Sequence, residues 1–413
     1  MSTTIQSLIG GTLLDPKQWY PSPDRTIQSR PWFIPVAQGA FIASTMLPRE
    51  ARIKIAIPAL LLLISQTRAV SCGDSARDFI VTSLVFGFVV KFVDFGLLRK
   101  DGELYKLKER EQVNAQPKKT EVGDGAKEPK SKGIWQKFKD SVELWLFTMR
   151  GIGWNWEVGG IPEREPQSVH YFLFRTFLRI VGTFIAMDVC RHATGMFPYI
   201  QSPVRTAFFA QPLLHQVILT WLHQLEAFCV INQPYQIGAF LMVALRLQTP
   251  DDWPPLFGKL SDAYLISRAW GRTWHQLMRR PLGILTPYMQ KWLGTTSRGA
   301  KRTVSLFCSF AMSGFVHWAG ALNSPWTPTS HGMFTYFIMQ VPVIRMEDYV
   351  VDWAKSRGIK GNILLEIIGY LWTFGFISFS MRYAASYQFE TGGLSHYEPL
   401  KYSLIDWMVG QTA

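Results

Sequence analysis

Five stretches of this chain, residues 79–98, 171–189, 213–231, 303–322 and 363–380, are apolar over close to the roughly 20 residues a helix needs to cross a bilayer. Nothing constrains the fold more, because a segment that crosses hydrocarbon has to satisfy its own backbone hydrogen bonds. Shorter apolar stretches at 32–47, 53–65, 237–247 and 332–345 suit tilted spans, re-entrant segments or buried helices. The expected fold is therefore all-α and polytopic, with about seven to nine membrane segments. Buried helices of a large soluble enzyme are the competing reading, and the mean hydropathy of +0.06 is modest. The alternation of long apolar blocks with strongly charged connectors favours the membrane.

The formal net charge of +13 sits in two places. Arg99 to Lys139 holds twelve Lys/Arg against seven Asp/Glu, and Arg268 to Arg302 holds eight Lys/Arg and no acid. Nucleic-acid binding is not needed to explain this, because both basic segments flank apolar blocks, as orientation by cytosolic positive charge requires. Two segments on one side must be separated by an even number of crossings. Blocks 171–189 and 213–231 supply two, which makes 237–247 a short dip. The same alternation puts Arg49, Arg52, Lys54, Lys355, Arg357 and Lys360 in the cytosol and the uncharged loop 323–330 in the lumen. Both termini are lumenal if the short early segments cross. The first thirty residues lack a signal-peptide pattern.

Residues 1–98 read as N-terminal membrane helices, 99–139 as a basic cytosolic linker, and 140–413 as the membrane domain that carries the chemistry. The linker is rich in charge, Gly and Pro and poor in aromatics, a composition that favours flexibility. After it, Trp135, Phe138, Val142, Trp145, Leu146 and Met149 fall at helical spacing, as in an amphipathic helix lying on a membrane surface. There is no internal repeat, which weakens a transporter reading. Cys72, Cys190, Cys229 and Cys308 lack paired spacing and read as packing residues.

Of eight histidines, His170, His192, His331 and His396 lie near span ends or in polar loops. His215 and His223 share an apolar block with Glu226, but a spacing of eight does not make a tight metal pair, and no HExxH or CxxC pattern is present, so no metal site is expected. His317 differs. It lies within CSFAMSGFVHWAGAL, where an imidazole costs free energy unless it meets a partner or a water-filled cavity. Its helical neighbours Ser313, Gly314, Gly320 and Ala321 are all small, which permits either close helix packing or an open chamber. The other feature is residues 261–281, which combine Trp270 and Trp274 with Arg268, Arg272, Arg279 and Arg280. Simple interfacial anchoring explains such a segment, and so does a cytosolic mouth for an anionic cosubstrate.

The WGRTWHQ stretch from Trp270 to Gln276, followed about 40 residues later by SGFVHWAG with His317, resembles the membrane-bound O-acyltransferase superfamily in its fungal wax-synthase-like branch. MRGIGWNWEV at 149–158 and PPLFGKLSDAYLISRAW before Trp270 are similar to the same branch, so the resemblance covers most of 145–325. Two positions depart from it. Ala269 stands where relatives often have Phe, and His275 stands where plant wax synthases and sterol acyltransferases usually have Asn.

The resemblance implies an acyl-CoA-dependent O-acyltransferase with a chamber built around His317, most directly one that acetylates a hydroxyl of a terpenoid-type secondary metabolite. Acetyl-CoA is then a cosubstrate, no cofactor is bound, and the partners are a lipophilic alcohol and membrane lipids. His317 is the expected general base, since neutral imidazole suits deprotonation of an alcohol and a dry setting disfavours the imidazolium. His275, or the indole N–H of Trp274, is the expected donor to the thioester oxyanion. Trp270, Arg272, Trp274 and Gln276, together with Arg268, Arg279, Ser313 and Gly314, are the expected substrate- and CoA-binding residues. The implied location is a multi-pass protein of the endoplasmic reticulum. Long-chain wax-ester or sterol-ester synthesis is the alternative within the class, and a proton-coupled transporter the alternative outside it. The topology puts His317 nearer the lumenal end of its helix and His275 on the cytosolic side, so 261–281 must dip inward, buried by protein, for the two to meet.

Overall fold

A computed structural model describes residues 32–69, 71–73, 75–99, 103–107, 133–163, 166–202, 206–391 and 403–408. Most of the basic linker, the first thirty residues and His396 lie outside them. The described residues are helical, and they form no strand beyond an isolated bridge between Lys106 and Trp154.

The N-terminal helices are α1 (Phe33–Thr45), α2 (Arg49–Ala69) and α3 (Ser75–Phe92), the last running on through a π-helical turn, Val93–Leu98. After the linker come α4 (Ile134–Val142), which ends in a second π turn at Glu143–Phe147, then α5 (Val169–Gly195) and α6 (Leu213–Ala244). The last third holds α7 (Arg298–Ala321), α8 (Gly332–Ser356), α9 (Ile363–Glu390) and the short α10 (Leu404–Met408). Side chains close several N-termini: Ser168 accepts from the N–H of Tyr171, Ser297 from Ala300 and Asn362 from Leu365.

By length and composition four helices suit a membrane crossing: Ser75–Leu98, Leu213–Ala244, Arg298–Ala321 and Ile363–Glu390. The expected seven to nine are not reached on this criterion among the described residues. α5 is long enough at 27 residues but carries Arg175, Arg179, Asp188 and Arg191. Arg191 donates to Glu226 of α6 at 2.9 Å, and Asp188 accepts from the N–H of Ile405 in α10 at 3.2 Å. The expected short dip at 237–247 needs correction. α6 continues through Pro234 to Ala244, 32 residues or about 48 Å at 1.5 Å per residue, so 237–244 is the end of one long helix.

α7 lies at the centre, packed on α3 and α8, with α9 beyond α8 and the α5–α6 pair beyond α9. Phe79, Ile266, Phe310, Phe337 and Tyr387 form the core there. A second core joins the N-terminal helices to α4, where Trp145, 1% exposed, packs its ring against Phe41 and Phe92 at centroid distances of 5.2 and 5.6 Å. The sequence pattern put Trp145 on the same membrane-facing stripe as Trp135 and Phe138. Those two are exposed, but the π turn adds a residue to the helical turn and rotates Trp145 inward.

Two charged side chains of α3 reach into this interior. Lys91 donates to the carbonyls of Leu144 and Trp145, at 2.7 and 3.2 Å, where the end of α4 leaves them without helical partners. Asp94, 1% exposed, accepts from Arg99 at 2.9 Å and from Arg280 at 2.7 Å, tying α3 to the segment that precedes α7. Removing one partner of a buried pair costs roughly 3–5 kcal/mol. Asp94→Ala is therefore expected to lower the Tm of detergent-solubilised protein well below that of Arg99→Ala, whose side chain is one-third exposed; equal values would mean the Asp94–Arg280 contact contributes nothing.

Candidate active site

Between α6 and α7 the chain abandons long helices. Ile266–Arg268 forms a single helical turn and Ala269–Thr273 a π turn, closed by the N–H of Trp274 donating to Ala269 at 2.7 Å; Trp274 itself is extended. Short turns need outside partners, and here every stage has one. The carboxylate of Glu347 in α8 accepts the N–H groups of Ile266 and Ser267. The Trp270 indole donates to Gln340 of α8 at 3.0 Å. The Gln276 amide donates back to the carbonyls of Trp270 and Trp274, at 2.8 and 2.6 Å, and accepts from Arg279 at 2.8 Å.

The earlier stretch that resembles the same branch comes to this turn. Arg279 also donates to the carbonyls of Gly159 and Gly271. Gly160, at φ +81°, lies so close to the Gly271 carbonyl that a Cβ there would collide with it. Arg150 holds the start of the segment through the carbonyls of Pro254 and Pro255, at 2.7 and 2.8 Å.

This folding brings His275 and His317 to one cavity of about 530 Å³, walled by the turn, α7 and two residues of α8. His317 lies between aromatic rings, 5.0 Å from Phe337 and 12° from parallel to it, with Phe79 at 6.1 Å. Phe257 meets the His275 ring edge-on at 5.8 Å. In both histidines Nδ1 is enclosed without a hydrogen-bond partner, which leaves Nε2 as the nitrogen open to the cavity. Burial pushes the His275 imidazole down to about 3, with His317 and Arg150 adding to the effect, so at neutral pH the ring is uncharged and has one N–H to donate.

The other expected site residues divide. Trp270, Trp274, Gln276, Arg279 and Ser313 line the cavity with the two histidines, whereas Arg268, Arg272 and Gly314 do not. The Gln276 amide is committed to holding the turn. Arg268 pairs with Asp262 and lies over the Tyr264 ring at 4.4 Å, while Arg272 is 57% exposed and 3.6 Å from the same Asp262. Arg280 is held by Asp94 between Phe95 and Trp156. Gly314 provides close packing: a Cβ there would meet Phe334 at 3.0 Å. The small residues around His317 thus serve both expected purposes, with Ser313 facing the cavity and Gly314 and Gly320 against neighbouring helices.

Sequence reading missed Arg302, Ser305 and Ser309, which line the cavity below Ser313 and His317. Their spacing of three or four residues along α7 puts all five on one face, a polar stripe that helical periodicity would have revealed. Arg302 donates from Nε and Nη2 to the two carboxylate oxygens of Asp348, at 2.5 and 2.7 Å. Phe337, Gln340 and Glu347 carried no signal in sequence, because only packing brings α8 to the turn. No cluster of metal-ligating side chains occurs among the described residues.

The model of the membrane bound O-acyl transferase family matches residues 253–339, the stretch that holds the turn, both histidines and the start of α8. The acetyltransferase sirH of Leptosphaeria maculans is 26% identical over 345 residues, 80% of this chain and 83% of the relative. The acetyltransferase eriL of Hericium erinaceus is 24% identical over 90% of this chain and 94% of its own, and the O-Mevalon transferase yanI of Aspergillus niger is 29% identical over 60% and 61%. Residues 253–339 thus match the membrane bound O-acyl transferase family, and the relatives are named as transferases, which supports an O-acyltransferase over the transporter reading.

Gln276→Leu keeps the side-chain bulk and deletes three hydrogen bonds of the turn. Misplacing a reacting group by about 1 Å can cost on the order of 100-fold. At least a tenfold loss of acyl transfer per folded molecule is expected from this variant; wild-type turnover would show that the turn holds its shape without the amide.

Proposed function

We propose that this protein transfers the acetyl group of acetyl-CoA to a hydroxyl of a terpenoid-type secondary metabolite, with His317 as general base. The observation that carries the reading is the meeting of His317 and His275, 42 positions apart in the chain, on one cavity with only Nε2 of each ring open to it. Acetyl as the transferred group is suggested by the relatives named acetyltransferases.

His317 Nε2 accepts the hydroxyl proton while the alcohol oxygen bonds to the thioester carbon and the carbonyl electron pair moves onto oxygen. A neutral His275 donates its Nε2–H to that oxyanion; Trp274 is the second candidate for this role. As the carbonyl reforms, the carbon–sulfur bond breaks and the CoA sulfur takes the proton back from His317. Atoms and charge balance, and no cofactor takes part. A general base contributes roughly 10²- to 10⁴-fold and one oxyanion donor about 2.7–4 kcal/mol. The CoA phosphates are drawn to Arg279 at the cavity wall and to the exposed Arg272 outside it; the carboxylate pairings of Arg268, Arg280 and Arg302 make them poorer candidates. The acceptor reaches the cavity from the lipid.

His317→Ala is expected to abolish ester formation from radiolabelled acetyl-CoA and a panel of terpene alcohols, and His275→Phe to lower it by about 10²- to 10³-fold without a matching rise in the KM for acetyl-CoA. Ester formation at the wild-type rate by His317→Ala would refute the mechanism.

We also propose a multi-pass arrangement of seven to nine segments in the endoplasmic reticulum. In it residues 99–139 form a basic cytosolic connection between the N-terminal helices and the catalytic region, and Arg298 lies on the cytosolic side. A single cysteine placed at Ser297 in a cysteine-free background should react with a membrane-impermeant maleimide in sealed microsomes, and one at Thr327 only after permeabilisation. The reverse pattern would invert the topology.

A further inference from the structure

We infer that Glu347 is a positioning residue, the carboxylate that sets where the His275-bearing turn begins and how it is rotated toward His317. Glu347 is 5% exposed on α8. Its Oε1 accepts the N–H of Ile266 at 2.7 Å and the indole N–H of Trp372 on α9 at 3.0 Å; its Oε2 accepts the N–H of Ser267 at 3.0 Å. All three donors are neutral, and the nearby guanidinium groups of Arg302 and Arg345 turn to Asp348 instead, the next residue along.

Seven positions earlier on the same face of α8, two turns or about 10.5 Å away, Gln340 holds the indole of Trp270. The catalytic segment is therefore fixed to α8 at two points, at its first backbone N–H groups and at its first tryptophan. α8 also carries Phe337, the ring that stacks on His317. One helix thus sets the position of both imidazoles, and Glu347 locks the more irregular of the two elements to it. Three converging donors call for a group that only accepts. A glutamine retains one such oxygen and presents an NH₂ to the other side, which opposes an N–H donor.

The inference rests on the acyl-transfer reading above. Its test is turnover of purified full-length protein with acetyl-CoA and the terpene alcohol acetylated fastest in the panel, normalised to folded protein. Glu347→Gln is expected to lower kcat about tenfold and Glu347→Ala about 100-fold, with the KM for acetyl-CoA changed by less than about threefold. Trp372→Phe removes only the bond to α9, and its kcat should stay within about twofold of wild type even if Tm falls. Wild-type kcat in both Glu347 variants, or a loss in Trp372→Phe as large as in Glu347→Gln, overturns the positioning role. The glutamine variant keeps the test decisive if the alanine variant does not fold. His317→Ala measured alongside separates the two ideas: an inactive His317→Ala with fully active Glu347 variants sinks only the positioning role, whereas an active His317→Ala sinks the acyl-transfer reading of the site.

Discussion

Backbone enclosed among helices has no water to bond with, and this chain threads an irregular segment through such a place. An enclosed N–H or C=O without a partner costs on the order of 1–3 kcal/mol. Residues 266–276 avoid that cost by borrowing partners: Glu347 for the first N–H groups, and Gln276, backed by Arg279, for the carbonyls of Trp270 and Trp274. Because these partners come from fixed helices and from the turn itself, the turn has one shape. His275 faces the cavity as a consequence of that shape.

The same economy governs charge. The chain is strongly basic, yet much of its positive charge near the site is committed. Arg280 is bound by Asp94 between two aromatic rings, Arg268 by Asp262, and Arg302 by Asp348. A desolvated guanidinium without partners would oppose folding, so these arginines are paired with carboxylates, while the buried Arg150 bonds the carbonyls of Pro254 and Pro255. Arg279, which bonds only neutral groups at the cavity wall, and the exposed Arg272 keep more of their charge available to an anion.

Particular residues show what was legible. His317 stood out because an imidazole within an apolar block needs a reason, and the cavity beside it supplies one. The WGRTWHQ stretch was recognisable, and its two short turns bring His275 to the cavity that His317 lines. The role of Gln276 within it was not, since an amide that bonds its own turn looks in sequence like one that awaits a ligand. Trp145 misled for another reason: periodicity assumes 3.6 residues per turn, and a π turn breaks that count without a sequence mark.

The sequence by itself determined that the chain is helical, that long apolar helices dominate it, and that one histidine sits within an apolar helix, where an imidazole needs a partner or a cavity. Those properties follow from local composition and periodicity, which act over neighbouring residues. Only the tertiary structure decided which small residues near His317 open a chamber and which close a helix contact, which arginines stay available, and that α8 carries the groups holding both imidazoles. Contacts between positions as distant as 266 and 347 depend on how helices pack, and packing leaves no periodic trace along the chain.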